Sequence, residues 1–215
     1  CNLVEGYGLS ECSPVATCNA LQGVNKEGSI GLPVPSTRLS IRSIENPEQI
    51  LEPNQTGEVW IKGPQVMTGY WGRDRETREV MSDDWLRTGD SGYVDEEGHF
   101  FLVDRLKDLI LCSGYNVYPR NVEEAIYLHP KVAEVTVIGI ADEYRGEAPK
   151  AFVKLKDDAA LTELELIEFL ADKLSKIEIP SEVEFRSELP KTLIGKLSKK
   201  ELKAEEDAKG SQQTS

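Results

Sequence analysis

Two segments of the sequence place an acidic side chain close to glycine, where it could contact a ligand. Residues 6–11, Gly-Tyr-Gly-Leu-Ser-Glu, put two glycines around an aromatic ring and end in Glu11. Glycine lets the backbone approach a ligand closely, so this segment suits a flat ligand with a carboxylate beside it. A turn with a surface glutamate explains the same residues, and both interpretations stay open at this point.

The second acidic segment ends in Asp90, which follows Gly89 after a short apolar step that starts at Trp85. The two oxygens of a carboxylate can accept hydrogen bonds from two adjacent hydroxyls, and a diol such as ribose has that geometry. The alternative is an aspartate that caps the turn before Tyr93.

A third segment, residues 189–200, contains Pro190, Gly195 and four lysines in a chain whose net charge is −13. By composition alone, this segment is a loop followed by the solvated, basic start of a helix.

The elements that must position these segments fall into two parts. Residues 28–103 contain stretches in which apolar and polar side chains alternate between glycines, which predicts a small, mainly antiparallel β unit. From residue 109 the pattern changes to that of a small α+β domain. We expect strands at 39–44, 57–63, 99–103, 133–140, 149–156 and 182–186, and helices at 119–128 and 162–175.

The second of these helices has a clear start. Thr162 and Glu165 have the spacing of a capping box, in which each residue satisfies a backbone N–H of the other. Helical spacing then predicts a core face made of Leu164, Ile167, Ala171 and Leu174. Residues 204–215 are polar and lack periodicity, so we expect a loose tail there.

The composition argues against several classes of partner. A chain of 215 residues that is 39% hydrophobic and 29% charged is typical of soluble globular proteins. The net charge of −13 argues against nucleic acid or an anionic membrane surface as the main partner, since both require a basic face. The four cysteines show no Cys-x-x-Cys spacing and the chain has two histidines, so the sequence predicts no zinc site.

Residues 104–108, Asp-Arg-Leu-Lys-Asp, interrupt the pattern between the two parts. This segment is too short and too charged to form a core. The apolar run 109–111 that follows, with a glycine soon after it, is typical of a buried strand, and Pro119 then opens a helical pattern. A charged linker and a functional joint both explain the segment.

Residues 104–123 also resemble the hinge motif of the acyl-adenylate-forming enzymes, a family that includes acyl-CoA synthetases, the adenylation domains of peptide synthetases and beetle luciferases. The matching pattern is Asp-Arg-x-Lys-Asp-x-Ile-x-x-x-Gly-x-Asn-x-x-Pro-x-x-Val-Glu. The resemblance extends from Tyr7 to about Glu205 and is nearest to the bacterial long-chain fatty acid–CoA ligases. It implies that residues 1–103 end the large AMP-binding domain, 104–108 form the hinge, 109–205 form a mobile lid domain, and 206–215 form a loose tail.

The resemblance also implies roles for individual residues. Tyr7 would line the adenine site, Ser10 would replace the usual threonine near the α-phosphate, and Glu11 would hold the magnesium ion on ATP. Asp90 would bind the ribose, joined by Arg105. The nucleotide-binding residues implied in this way are Tyr7, Gly8, Ser10, Asp90 and Arg105.

In the lysine-rich segment, Lys196 matches the catalytic lysine of the family, and Lys199 stands where many relatives have arginine. The lid would rotate about Asp104 between the two reaction steps. After that rotation the CoA tunnel would be formed by Ser113, Gly114 and Tyr115.

The implied reaction uses ATP, Mg²⁺ and CoA to convert a fatty acid into acyl-AMP and then into a thioester. We expect a cytoplasmic enzyme, with peripheral association at the inner face of the membrane as an open alternative, and we expect the 215 residues to be inactive alone because they contain no Gly-rich phosphate loop. Two other interpretations remain. The chain could belong to another adenylate-forming enzyme, such as an aromatic-acid CoA ligase, an acyl-carrier ligase or a luciferase, or to a non-enzymatic interaction module.

Overall fold

The computed structural model describes residues 3–192, 195 and 197–213. It divides into two compact units, Cys1–Lys107 and Asp108–Ser215, so the division falls within the predicted hinge segment. The fold is mixed α+β, as predicted, and among the strands of the described residues every pair but one is antiparallel.

The described part of the first unit contains two antiparallel sheets and one short α-helix. The smaller sheet has the order β1-β2-β3, and the larger has the order β4-β5-β7-β6, with β8 paired to β7. The strands are β1 (Gly6–Tyr7), β2 (Thr17–Cys18), β3 (Leu32–Pro33), β4 (Arg38–Arg42), β5 (Gly57–Lys62), β6 (Met81–Ser82), β7 (Trp85–Val94) and β8 (Phe100–Arg105), and the helix is α1 (Asp74–Val80).

The larger sheet is held by apolar side chains from several of its strands. One cluster contains Ile41, Val59 and Phe100, and another contains Ile61 and Leu86. Strand β5 is buried along nearly its whole length, which explains why its sequence is rich in β-branched and aromatic residues.

The second unit packs helices against a mixed sheet. Its sheet has the order β10-β9-β12-β11, and β13 pairs with β12 in parallel. The elements are β9 (Ile110–Cys112), β10 (Tyr115–Val117), α2 (Pro119–Tyr127), β11 (Val132–Asp142), β12 (Gly146–Leu155), α3 (Glu163–Leu170), β13 (Glu182–Phe185) and α4 (Lys199–Gln213).

The capping box that starts α3 is confirmed, whereas the predicted core face is partly wrong. The hydroxyl of Thr162 accepts from the backbone N–H of Glu165, and the Glu165 carboxylate accepts from that of Thr162. The helix ends at Leu170, and Leu164 is 68% exposed. The buried residues are Leu166 and Leu170, because the helix presents these positions to the sheet.

The prediction of a loose tail is wrong for residues 204–213, because α4 extends to Gln213. Leu202 is fully buried with Ile138 and Phe152, which anchors the first turns of the helix. Glu206 and Lys209 then continue the contact through ion pairs, so a polar sequence without periodicity is stabilised as a helix.

Among the described residues, every helix is too short or too polar to cross a bilayer.

Candidate functional site

Asp90 lies at the centre of the best-defined group of predicted site residues. It is 5% exposed and is paired in register with Arg105 across β7 and β8. The hydroxyl of Tyr7 donates to Oδ2 of Asp90 over 2.5 Å, and Nε of Arg105 lies 3.2 Å from Oδ1. The structure therefore brings together three residues that are separated by up to 98 positions in the sequence.

Tyr7 is held as a neutral hydrogen-bond donor. Burial raises the pKa of Tyr7 well above its usual range, and the charge of Asp90 and the hydrogen bond to it raise the pKa further. The phenol therefore keeps its proton at neutral pH and holds one oxygen of Asp90, while Arg105 holds the other.

The backbone around Asp90 is fixed by a buried glutamate that sequence reasoning missed. Glu58 is 3% exposed and accepts hydrogen bonds from Trp60, from Arg87 and from the backbone N–H of Gly89. Gly89 has a φ of +69°, a conformation that favours glycine. The sequence does contain a signal for Glu58, because it is an acidic residue at an inward position of a predicted β strand. A carboxylate buried there requires several hydrogen-bond donors.

The segment 6–11 runs from strand β1 (Gly6–Tyr7) into a 3₁₀ turn. A Cβ atom placed on Gly8 would lie 1.7 Å from the carbonyl oxygen of Pro14, so the fold itself requires glycine there. Ser10 is exposed and begins a 3₁₀ turn, Ser10–Cys12, that also contains Glu11. The turn interpretation and the ligand interpretation of this segment are therefore compatible.

The carboxylate of Glu11 has a partner that the sequence did not indicate. The hydroxyl of Tyr70 donates to Oε1 of Glu11 over 2.8 Å, and the backbone N–H of Met67 donates to the carbonyl oxygen of Glu11 over 2.8 Å. The loop 63–73 thus contacts the predicted magnesium ligand.

In the second unit, Ser113 and Gly114 form the two-residue turn between β9 and β10. Both have positive φ, +52° and +80°, as a type I′ hairpin turn requires. Apart from Gly114 itself and its two chain neighbours, no heavy atom of the described residues lies within 4 Å of the position that a Cβ on Gly114 would take. Tyr115 is 64% exposed, so the turn presents an open surface.

Lys196 lies outside the described residues, but the segments on both sides of it are well anchored. Lys191 and Leu197 form an antiparallel bridge, and Gly195, with a φ of +80°, donates its N–H to the carbonyl oxygen of Thr192. Nζ of Lys199 lies 2.9 Å from Oε1 of Glu123 on α2, so the lysine at this position forms an ion pair.

The predicted hinge residue Asp104 belongs to the last strand of the first unit. It pairs in register with Ser91, and its carboxylate accepts from the backbone N–H of Arg105. The 3₁₀ turn Leu106–Asp108 then spans the division between the units.

One cluster in the described part of the chain could hold a metal ion. The ligand atoms of Asp95, Glu97 and His99 lie within 4.8 Å of one another. The ammonium of Lys26, however, already contacts both carboxylates, at 2.5 Å and 3.2 Å. The two carboxylates therefore form ion pairs with Lys26, which connect the segment before β3 to the β7–β8 turn.

Two family models match the chain. Residues 1–71 match the AMP-binding enzyme model, and residues 121–196 match the AMP-binding enzyme C-terminal domain model. The two matched regions contain Tyr7, Glu11 and Lys196.

Curated relatives and solved structures agree with these matches. The chain is 52% identical over 204 residues to the long-chain-fatty-acid–CoA ligase of Bacillus subtilis, covering 95% of this chain and 36% of the relative. It is 40% identical to the 2-succinylbenzoate–CoA ligase of Bacillus mycoides, covering 92% and 40%. The chain thus spans little more than a third of the length of these curated relatives.

A solved structure of O-succinylbenzoate coenzyme A synthetase from Bacillus subtilis, in complex with ATP and magnesium ion, superposes with a TM-score of 0.83 at 33% identity. That comparison covers 93% of this chain and 41% of the solved chain. From the motifs, the fold and these comparisons together, the chain belongs to the AMP-binding enzyme family.

Proposed function

We propose that the protein containing this chain is an AMP-forming acid–thiol ligase that activates a fatty acid and transfers it to CoA. The contact that supports this proposal most strongly is that of Asp90 with Tyr7 and Arg105. A carboxylate offers about four acceptor positions, so two remain after these bonds form. The remaining positions suit the two hydroxyls of the ATP ribose.

The first step requires positive charge where a carboxylate meets the α-phosphate. We propose that Lys196 supplies this charge, because Gly195 is in an open turn and the surrounding segment is fixed at Lys191 and Leu197. We propose that Ser10 and Gly8 lie along the nucleotide, since both are exposed on the turn that follows Tyr7.

The residues present also fit a magnesium ion at Glu11. Mg²⁺ is usually bound by one or two carboxylates together with substrate phosphates, and one oxygen of Glu11 carries the Tyr70 bond while the other has no hydrogen bond in the described structure. When bound with ATP, Mg²⁺ would neutralise phosphate charge. Tyr70 and Met67 would keep the Glu11 carboxylate in place.

The second step requires the CoA thiol to reach the acyl-AMP. We propose that the second unit rotates about Asp104 and presents Ser113, Gly114 and Tyr115 to the site. The open space at Gly114 supports this role, because a narrow pantetheine arm needs a path without side chains.

A fatty acid is the proposed acyl substrate because the relative with 52% identity is named a long-chain-fatty-acid–CoA ligase. A 2-succinylbenzoate ligase is the second candidate, supported by the relative with 40% identity. We further propose that the 215 residues are inactive alone, and that the full-length enzyme is cytoplasmic, with peripheral contact at the inner face of the membrane as the alternative.

The test is ATP-dependent pyrophosphate release by the full-length protein with saturated fatty acids of increasing length and with 2-succinylbenzoate. We expect release to rise with long acyl chains and to require CoA for thioester formation. Pyrophosphate release with 2-succinylbenzoate but with no fatty acid would favour the second candidate. If no acid gave pyrophosphate release and the protein did not bind ATP, a non-enzymatic interaction module would be favoured.

A further inference from the structure

The hydrogen bond between Tyr70 and Glu11 joins two elements that are 59 residues apart. The phenol donates to Oε1 over 2.8 Å, so Tyr70 acts as a neutral donor. A neutral donor orients a carboxylate without cancelling its charge, whereas a lysine or arginine in its place would compete with a bound cation.

The backbone of Tyr70 is held by hydrogen bonds within its own loop and to Thr77 of α1. The backbone N–H of Tyr70 donates to Oγ1 of Thr77 over 2.9 Å, and this hydroxyl donates to the carbonyl oxygen of Arg73 over 2.8 Å. The N–H of Arg73 in turn donates to the carbonyl oxygen of Tyr70. A Cβ on Gly69 would lie 2.7 Å from Cγ2 of Thr77, so the loop is packed closely against α1 at this point.

A second contact holds the main chain of Glu11 to the same loop. The N–H of Met67 donates to the carbonyl oxygen of Glu11 over 2.8 Å, three residues before Tyr70. The backbone and the side chain of Glu11 are thus both held by the same loop. Because Oε1 carries the Tyr70 bond, Oε2 is the oxygen that can face a ligand.

We propose that Tyr70 is a positioning residue for Glu11, which holds the carboxylate so that its second oxygen is directed at the divalent cation of bound ATP. The inference rests on the proposed function, in which Glu11 is the magnesium ligand. A bond that only packs the loop would leave cation affinity unchanged when it is removed. The two roles can therefore be separated by measuring the cation directly.

The experiment is a titration of Mn²⁺, followed by electron paramagnetic resonance, into the full-length protein with ATP and without acid. In this arrangement the cation is observed without turnover. The test variant is Tyr70→Phe, which removes one hydroxyl and keeps the ring. The matched control is Tyr93→Phe, because Tyr93 lies in the same unit and its ring stacks on that of Phe101.

We expect Tyr70→Phe to weaken Mn²⁺ binding to the ATP complex by about tenfold, which corresponds to the loss of one hydrogen bond to a charged group at a half-exposed site. Tyr93→Phe should match the parent. Thr77→Val, which removes the hydroxyl that anchors the Tyr70 backbone, should give a smaller loss of the same kind. Thermal unfolding of each variant is recorded in parallel, and the comparison uses variants that unfold within a few degrees of the parent.

Equal Mn²⁺ affinity in Tyr70→Phe and Tyr93→Phe would overturn the inference. A parent that binds Mn²⁺ with ATP but releases no pyrophosphate with any acid would overturn the proposed function alone. A parent that shows no ATP-dependent Mn²⁺ binding would overturn both.

Discussion

The hydroxyl of Tyr7 donates to Oδ2 of Asp90 over 2.5 Å, from a position where burial keeps the phenol protonated. This contact places an aromatic ring beside a carboxylate whose other oxygen is held by Arg105. The pair has consequences for ionisation and for nucleotide binding, and each can be measured.

The first prediction concerns the ionisation of Tyr7. Because its pKa is raised above the ordinary value of 10.0, Tyr7 should not ionise with the exposed tyrosines. Alkaline titration of tyrosinate absorbance should therefore give the same amplitude near an ordinary tyrosine pKa, about 10, in the parent and in Tyr7→Phe.

The same shift has a defined effect on stability. Above the ordinary tyrosine pKa the unfolded chain loses the Tyr7 proton and the folded chain keeps it, so the free energy of unfolding should decrease as the pH rises past about 10. This decrease should be smaller in Tyr7→Phe. In the absorbance titration, a change near pH 10 that is smaller by one tyrosine in Tyr7→Phe than in the parent would show that Tyr7 ionises as an ordinary tyrosine.

The second prediction concerns Asp90. Replacing Asp90 with Asn keeps the shape but removes a charged acceptor, so ATP affinity of the full-length protein should fall by roughly 10- to 100-fold, measured by calorimetry. Asp74→Asn, at an exposed position of α1, serves as the control and should bind ATP as the parent does. Equal ATP affinity in both variants would remove Asp90 from the nucleotide site.

The third prediction concerns the attachment of α4. Nζ of Lys150, on a side chain that is 7% exposed, lies 2.9 Å from Glu206, 3.0 Å from Glu182 and 3.3 Å from Glu184. Lys150→Met would leave three carboxylates close together without this cation. We expect the free energy of unfolding to decrease by about 1–3 kcal/mol, below the full cost of breaking a buried pair because two of the glutamates are partly exposed.

Urea denaturation at neutral pH measures this change. Lys200→Met is the control, because Lys200 is an exposed lysine of α4. The network would be shown to contribute nothing if Lys150→Met and Lys200→Met had the same free energy of unfolding.

The fourth prediction separates crowding at Gly114 from backbone strain. Gly114 has a φ of +80°, so leucine and alanine would each cost about 1 kcal/mol or more in strain there. Gly114→Leu should slow thioester formation from preformed acyl-AMP and CoA, because the side chain fills the proposed pantetheine path. Gly114→Ala, which adds only a methyl group, should slow it less, and both variants should keep adenylation from ATP. If the two variants were slowed equally, strain and not crowding would be the cause.

Local signals allowed parts of this fold to be predicted from the sequence. The capping box at Thr162 depends on residues three positions apart, and the alternation in β5 depends on one strand, so both could be recognised in the chain itself. The exposure of Leu164 could not be predicted in this way, because the face that α3 buries depends on the sheet against which it packs.

Contacts between distant residues account for the features that were missed. Helix α4 has a polar sequence, and its partners Lys150 and Glu184 lie in strands β12 and β13. The bonds of Tyr70 to Glu11 and of Glu58 to Gly89 likewise join separate segments. Motif spacing identified the candidate ligands Tyr7, Glu11 and Asp90, but the residues that hold them could be found only from the folded structure.

The central claim is that the protein carries out two half-reactions and that Lys196 acts only in the first. The most direct measurement compares Lys196→Ala with the parent and with Lys200→Ala, once from ATP and fatty acid and once from preformed acyl-AMP and CoA. Loss of one charge-assisted contact in a dry site should raise the adenylation barrier by about 3 to 4 kcal/mol, or roughly two to three decades of rate. We predict that Lys196→Ala is slowed to this extent from ATP and retains the parent rate from acyl-AMP, whereas equal slowing in both assays would contradict the account.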